Sequence, residues 1–174
     1  MTIEQKYQEL CNTPSDINEN LPVLKKYAEL SETIVELGVR GIVSTWALLA
    51  GKPKSLVSVD IEHPQNHGGD LWEVMDACEE EGIQFSFVQN SSLEISLPDI
   101  DMLFIDTLHT YDQLTAELER HSNKVKKYIA MHDTAIPDLP EMTKAVNDFL
   151  DKHPEWKIKE HHSNCNGMTI LHRV

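Results

Sequence analysis

The chain has 174 residues, 40% of them hydrophobic and 25% charged, which is one domain's worth of core-forming material and excludes both a disordered chain and a disulfide-stapled miniprotein. Lys and Arg number 15 against 29 Asp and Glu, a net charge of −14 at pH 7; that excess repels phosphate backbones and anionic lipid headgroups, so neither nucleic acid nor a membrane is expected as a partner. No apolar stretch reaches the roughly 20 residues that span a bilayer, MTIEQKYQEL lacks the apolar segment of a signal peptide, and Cys11, Cys78 and Cys165 form no C-x-x-C pair, as suits reduced thiols in a cytoplasm.

In chain order, residues 1–31 read as a helical extension of two helices broken at Asn12-Thr13-Pro14, with Ser15 as N-cap of the second. These helices could close over an acceptor. Thr33 to Leu37 reads as a strand ended by Gly38, and Ser44 or Thr45 opens a helix to Ala50 that Gly51 and Pro53 stop. Ser55 to Asp60 is a second strand; after a polar loop, Leu71 to Glu81 is a helix closed by Gly82. Phe85 to Val88 is a third strand, and Asp101 to Asp106 a fourth whose apolar middle predicts burial on both faces. Thr110 and Gln113 fit a capping box for a helix to about Asn123. Lys127 to Met131 is a fifth strand running into His132-Asp133, Pro140 to about Lys152 a helix, and Trp156 to His172 a hairpin turning at Asn164 to Gly167. Strands alternating with helices predict an α/β fold, a doubly wound and mostly parallel sheet ending in an antiparallel β-hairpin, with residues 1–174 as one domain.

In such sheets ligands bind beyond the carboxyl ends of the strands. Those ends carry Glu36-Leu37-Gly38-Val39-Arg40-Gly41, then Asp60, then Gln89-Asn90-Ser91, then Asp106 and His109, then His132 and Asp133. A dinucleotide fingerprint needs glycines at relative positions 0, 2 and 5, and from Gly38 those places hold Gly38, Arg40 and Val43. No P-loop motif is present either. Gly38 and Gly41 still permit a tight turn and close backbone approach, which suits a compact nucleoside ligand without phosphates.

Glu36 to Gly41 followed by Val43-Ser44-Thr45-Trp46 resembles the first motif of class I S-adenosylmethionine-dependent methyltransferases. Phe104-Ile105-Asp106-x-x-His109-x-Tyr111 with His132-Asp133-Thr134 is similar to the metal-dependent sugar and macrolide O-methyltransferases and the cephalosporin hydroxylase-like proteins. The resemblance runs from about Thr33 to Val174 and departs from the family pattern at Arg40, Thr107 and His132. It implies a Rossmann-like methyltransferase fold and S-adenosylmethionine (SAM) as cofactor. It assigns Glu36, Gly38 and Gly41 to the methionine end, Asp60 to the two ribose hydroxyls, and Asn90 and Ser91 to the adenine edge. Ser44 and Asp106 complete the cofactor set.

The metal centre can be argued from geometry. If strands four and five are neighbours, about 4.8 Å apart, Asp106 and Asp133 at their ends can share one site. Two carboxylates that close repel unless a proton or cation lies between them. A hard divalent ion, Mg²⁺ or Mn²⁺, resolves that repulsion; helix capping is the plainer alternative for the pair. His132 could be a third ligand, although strand alternation would turn it away from Asp133. His109 stands at the mouth of a helix, whose dipole would lower its pKa and favour the neutral ring of a general base. The reading is an O-methyltransferase for a small hydroxylated acceptor, a sugar or glycan; the alternative is a non-catalytic nucleoside-binding module on the same fold.

Overall fold

A computed structural model describes residues 1–136 and 140–174. Its helices are α1 (Ile3–Asn12), α2 (Leu21–Ala28), α3 (Val43–Ala50), α4 (Leu71–Glu81), α5 (Tyr111–His121) and α6 (Pro140–Lys152). Its strands are β1 (Thr33–Leu37), β2 (Ser55–Asp60), β3 (Gln84–Gln89), β4 (Ile100–Ile105), β5 (Val125–His132), β6 (Trp156–His162) and β7 (Met168–Arg173). The seven strands form one sheet in the order β3-β2-β1-β4-β5-β7-β6. The first five pair in parallel, and β7 runs antiparallel between β5 and β6. This is the expected doubly wound sheet with its terminal hairpin. Strand order reverses between β1 and β4, so the crevice at their carboxyl ends is where a ligand should bind.

Alternate side chains of each strand feed two apolar layers. Ile34, Leu56, Met102 and Phe104 pack with α1, α2, α3 and α4, whereas Val35, Leu37, Leu103 and Ile105 pack with α5 and α6. The continuous apolar run of β4 is buried on both faces, as a central parallel strand requires. Ile3, Tyr7, Leu21, Leu24 and Tyr27 of the first two helices are buried in the same layer as Trp46 and Leu48 of α3.

Two local expectations change. Ser15 does not cap α2: a short 3₁₀ turn at Asn18–Asn20 intervenes, and the helix begins at Leu21 with Pro22 in its first turn. Thr110 does cap α5, accepting from the Gln113 N–H at 3.3 Å, but the Gln113 side chain does not return to the cap. It bonds instead to Glu117 and Ser92. No helix among the described residues is long and apolar enough to cross a membrane.

Candidate cofactor cleft and acidic–histidine cluster

The loop leaving β1 is shaped by three left-handed residues, Gly38, Arg40 and Ile42, with φ of +87°, +47° and +61°. Gly38 is obligatory. A Cβ there would lie 2.0 Å from the Asp106 carbonyl oxygen, because the end of β4 passes directly beneath the turn. Gly38→Ala should therefore lower stability by roughly 2–4 kcal/mol, combining overlap with a strained φ. A thermal melt within about 1 °C of wild type would refute that account.

Asp60 ends β2 and staples this loop. Its Oδ2 accepts from the Val39 and Arg40 N–H groups at 2.7 and 2.9 Å, and its Oδ1 accepts from the Glu62 N–H at 2.9 Å. A carboxylate has about four acceptor sites, so one remains for a ligand hydroxyl where the sequence suggested two. Around Asp60 opens a cleft of about 440 Å³ lined by Gly38, Val39, Arg40, Asn90, Ser91 and Asp106, among others. Ile61 and Leu108 also line it and are 67% and 65% exposed, giving it two apolar side chains. Ser92, Thr107 and Gln113 complete its inner wall. Sequence reasoning missed these five; the signal for Gln113 was its position one turn before Glu117, which a capping-box reading obscured.

Three residues assigned to the cofactor lie elsewhere: Glu36, Gly41 and Ser44 are not among the residues that line the cleft. Glu36 is fully buried beneath the loop, accepting hydrogen bonds from the hydroxyls of Ser44 (2.5 Å), Thr45 (2.8 Å) and Ser58 (2.5 Å). Strand alternation sends it into the α3 layer, where it ties β1, β2 and α3 together. Burial pushes its carboxyl up to about 7, against the three hydroxyls that hold it down. The folded state thus binds this proton more tightly than the unfolded one, and its contribution to stability is lost as pH rises from about 4.5 to 7. Glu36→Gln, which cannot ionise, should gain on wild type across that window in urea unfolding at pH 5 and 7.5. A pH-independent difference would contradict the burial argument.

Beside the cleft, four side chains converge. His109 Nε2 lies 2.7 Å from Asp133 Oδ2 and 3.5 Å from Asp106 Oδ1. His132 Nδ1 lies 3.1 Å from Asp133 Oδ2 and 3.5 Å from Asp106 Oδ1. The two Asp do share one site, as β4 and β5 are neighbours. His132 joins them, contrary to the alternation argument, because Asp133 leaves the strand in a left-handed conformation (φ +57°) and its side chain turns back. The Cys165 carbonyl, 2.9 Å away, accepts from His132 Nε2–H and fixes the ring, leaving Nδ1 towards the carboxylates.

The charges are also not as expected. Hydrogen bonding to Asp106 and then Asp133 raises His109 to about 9, against partial burial; two carboxylates outweigh the helix dipole that would have lowered it. Burial pulls His132 down, but the same two carboxylates raise it to about 10. Burial lifts Asp106 and Asp133, and the two histidines more than reverse this, holding both below the ordinary carboxylate range. Both imidazoles are thus pushed towards the charged form and both carboxyls towards the ionised one.

As metal donors, Asp106, Asp133 and His109 offer atoms within 4.8 Å of one another. His132 adds a ring whose far N–H is already given to a carbonyl, the usual support of a ligating histidine. This oxygen and nitrogen set fits a divalent ion such as Mn²⁺ or Mg²⁺.

The chain superposes on solved structures over nearly its whole length. An O-methyltransferase from Bacillus cereus in complex with SAH matches with TM-score 0.69 and 14% identity, covering 99% of this chain and 90% of that one. An O-methyltransferase of tomaymycin synthesis from Streptomyces achromogenes, in complex with SAM, matches with TM-score 0.60 and 17% identity over 99% and 87%. A SAH-bound methyltransferase from Podospora anserina matches with TM-score 0.62 and 12% identity over 99% and 87%. No protein-family model matches the chain, and no curated protein matches it. The chain shares its fold with these methyltransferase structures.

Proposed function

We propose that the protein transfers a methyl group from SAM to a hydroxyl of a small acceptor of the sugar or glycan class. The observation that carries this reading is the juxtaposition at the β1/β4 switch point: a nucleoside-sized cleft walled by Gly38 and Asp60 opens beside the Asp106–His109–Asp133 cluster. Solved structures of the same fold that hold SAM or SAH support it.

In this mechanism the cleft holds the nucleoside, with the remaining acceptor site of Asp60 on a ribose hydroxyl and Asn90 and Ser91 at the base. The methyl transfer is an in-line displacement at the sulfonium carbon, and the chain's main work is to hold the acceptor oxygen about 3 Å from that carbon. Asp106 lines the cleft and also belongs to the cluster, so the acceptor hydroxyl is delivered there. His109, 37% exposed at its side chain, is the proton acceptor when its ring is neutral, a form that its two carboxylate neighbours disfavour. Asp106, Asp133 and His132 would hold a divalent ion; when bound it supplies Lewis-acid polarisation of the acceptor oxygen and offsets the negative charge that keeps His109 protonated.

Calorimetry with SAM and SAH, with and without Mn²⁺ or Mg²⁺, tests the cofactor and metal parts, and a screen of glycans for methyl acceptance tests the acceptor. Absence of SAH binding would end the proposal, while activity unchanged in EDTA would leave the acidic pair a structural element. Asp60→Ala should weaken SAH binding by about 10- to 100-fold, since it removes a ribose partner and frees the loop amides of Val39 and Arg40. Unchanged affinity in a folded variant would remove Asp60 from the site.

A further inference from the structure

The N-terminal extension reaches the acidic–histidine cluster through one side chain. Asn20 occupies the N-cap position of α2, where asparagine ordinarily turns back to the free N–H groups of the first turn. Here it makes no such cap. It is fully buried, and its Nδ2 donates instead to two successive carbonyls of the β6–β7 turn, Asn164 at 3.1 Å and Cys165 at 3.3 Å. Carbonyls only accept, so the amide must present its nitrogen there. Its Oδ1 finds no partner among the described residues, a cost that an apolar side chain filling the same space would avoid. What the position needs is the donor.

The turn that Asn20 grips is strained. Cys165, Asn166 and Gly167 are left-handed in succession, with φ of +45°, +64° and +96°, and only the glycine adopts that region freely. Such a run persists where its surroundings over-determine it. On one side the Asn166 carbonyl accepts from the N–H of Ala135, just beyond Asp133 and Thr134, at 2.8 Å. On the other stand Asn20 and Glu19, whose carboxylate accepts from the Asn164 side-chain amide at 2.8 Å. The Cys165 carbonyl so held is the one that accepts from His132 Nε2–H at 2.9 Å. That bond leaves Nδ1 towards Asp106 and Asp133.

We infer that Asn20 is a positioning residue of the proposed metal centre: it locks the β6–β7 turn so that the Cys165 carbonyl orients His132 as a ligand. Without its two hydrogen bonds the turn relaxes out of the left-handed run, the carbonyl shifts, and the imidazole loses its fixed direction. The inference rests on the metal reading above and brings residues 1–31 into it.

The test is calorimetry of the full chain, wild type and Asn20→Ala, with Mn²⁺ and separately with SAH. Mn²⁺ affinity should fall about 10- to 100-fold in the variant, the usual effect of removing an outer support of a ligating residue. SAH affinity should stay within about threefold, because neither Asn20 nor the turn lines the cleft. A merely structural Asn20 would lower the melting temperature and leave the Mn²⁺ affinity of the folded variant intact, or would weaken both ligands alike. Either result would overturn the inference. Where Asn20→Ala fails to fold, hydrogen exchange of wild type, read by mass spectrometry, carries the test. Mn²⁺ at about ten times its Kd should slow the amides of Asn20 and Gly167, bonded to the Ile17 and Asn164 carbonyls, by about five- to tenfold. The turn amide of Gly82, at the amino end of β3, should not change. Unchanged exchange at Asn20, or an equal slowing at Gly82, would again overturn it. A wild type that binds no Mn²⁺ would instead defeat the metal reading and this inference with it.

Discussion

Asp133→Ala is expected to lower folding stability by about 3–5 kcal/mol, the scale for removing one partner of a buried ion pair. The magnitude follows from what is left behind. His132 is 2% exposed, and its imidazolium would keep only the more distant Asp106 carboxylate. His109 would lose its shorter contact, the 2.7 Å approach to Asp133. For a chain of this length the melting temperature should fall by roughly 6–20 °C. Asp133→Asn is the instructive control. Asparagine tolerates the left-handed backbone that this position adopts and keeps one acceptor oxygen for His132, so it should cost visibly less than alanine. If both variants melt within about 2 °C of wild type, the imidazolium ions are not held by Asp133. If Asn costs as much as Ala, charge and not hydrogen bonding dominates the pair.

The sheet was legible because its determinants are local and repeated. Leu103 to Ile105 is apolar without interruption, which only a strand covered on both faces requires, and Gly38 and Gly82 stop their elements by adopting φ values that other residues avoid. The cleft was half legible: Asp60, Asn90, Ser91 and Asp106 stand at strand ends, where any doubly wound sheet presents its ligand groups. Glu36 was misplaced by the same regularity, since the residue before a strand's end alternates inward as readily as toward the crevice. The cluster was least legible. One left-handed residue, Asp133, cancels the alternation that should have separated it from His132, and nothing in the local sequence announces that conformation. Nor could spacing reveal the charge on His109, which depends on two carboxylates, one of them 24 residues away along the chain. Propensity is read from neighbours in sequence, and a pKa from neighbours in space.

His109→Ala should separate binding from chemistry. Its ring contacts Asp106 and Asp133 and is not among the residues lining the cleft, so SAH affinity should stay near that of wild type. Turnover of an acceptor found in the glycan screen should fall about 10²- to 10⁴-fold, the usual contribution of a positioned proton acceptor. Stability should change little compared with Asp133→Ala, because His132 still compensates the carboxylates and the His109 side chain is 37% exposed. His109→Gln refines the result. Glutamine can hydrogen-bond to Asp133 but cannot take up a proton, so it should restore the architecture of the cluster without restoring the rate. A glutamine variant as slow as the alanine one identifies proton transfer as the function of the ring. Recovery of the rate in His109→Gln would assign His109 to orienting Asp133, and turnover close to wild type in His109→Ala would remove it from the reaction. Loss of SAH binding in His109→Ala would show that the ring shapes the cleft, and the proton would then need another acceptor.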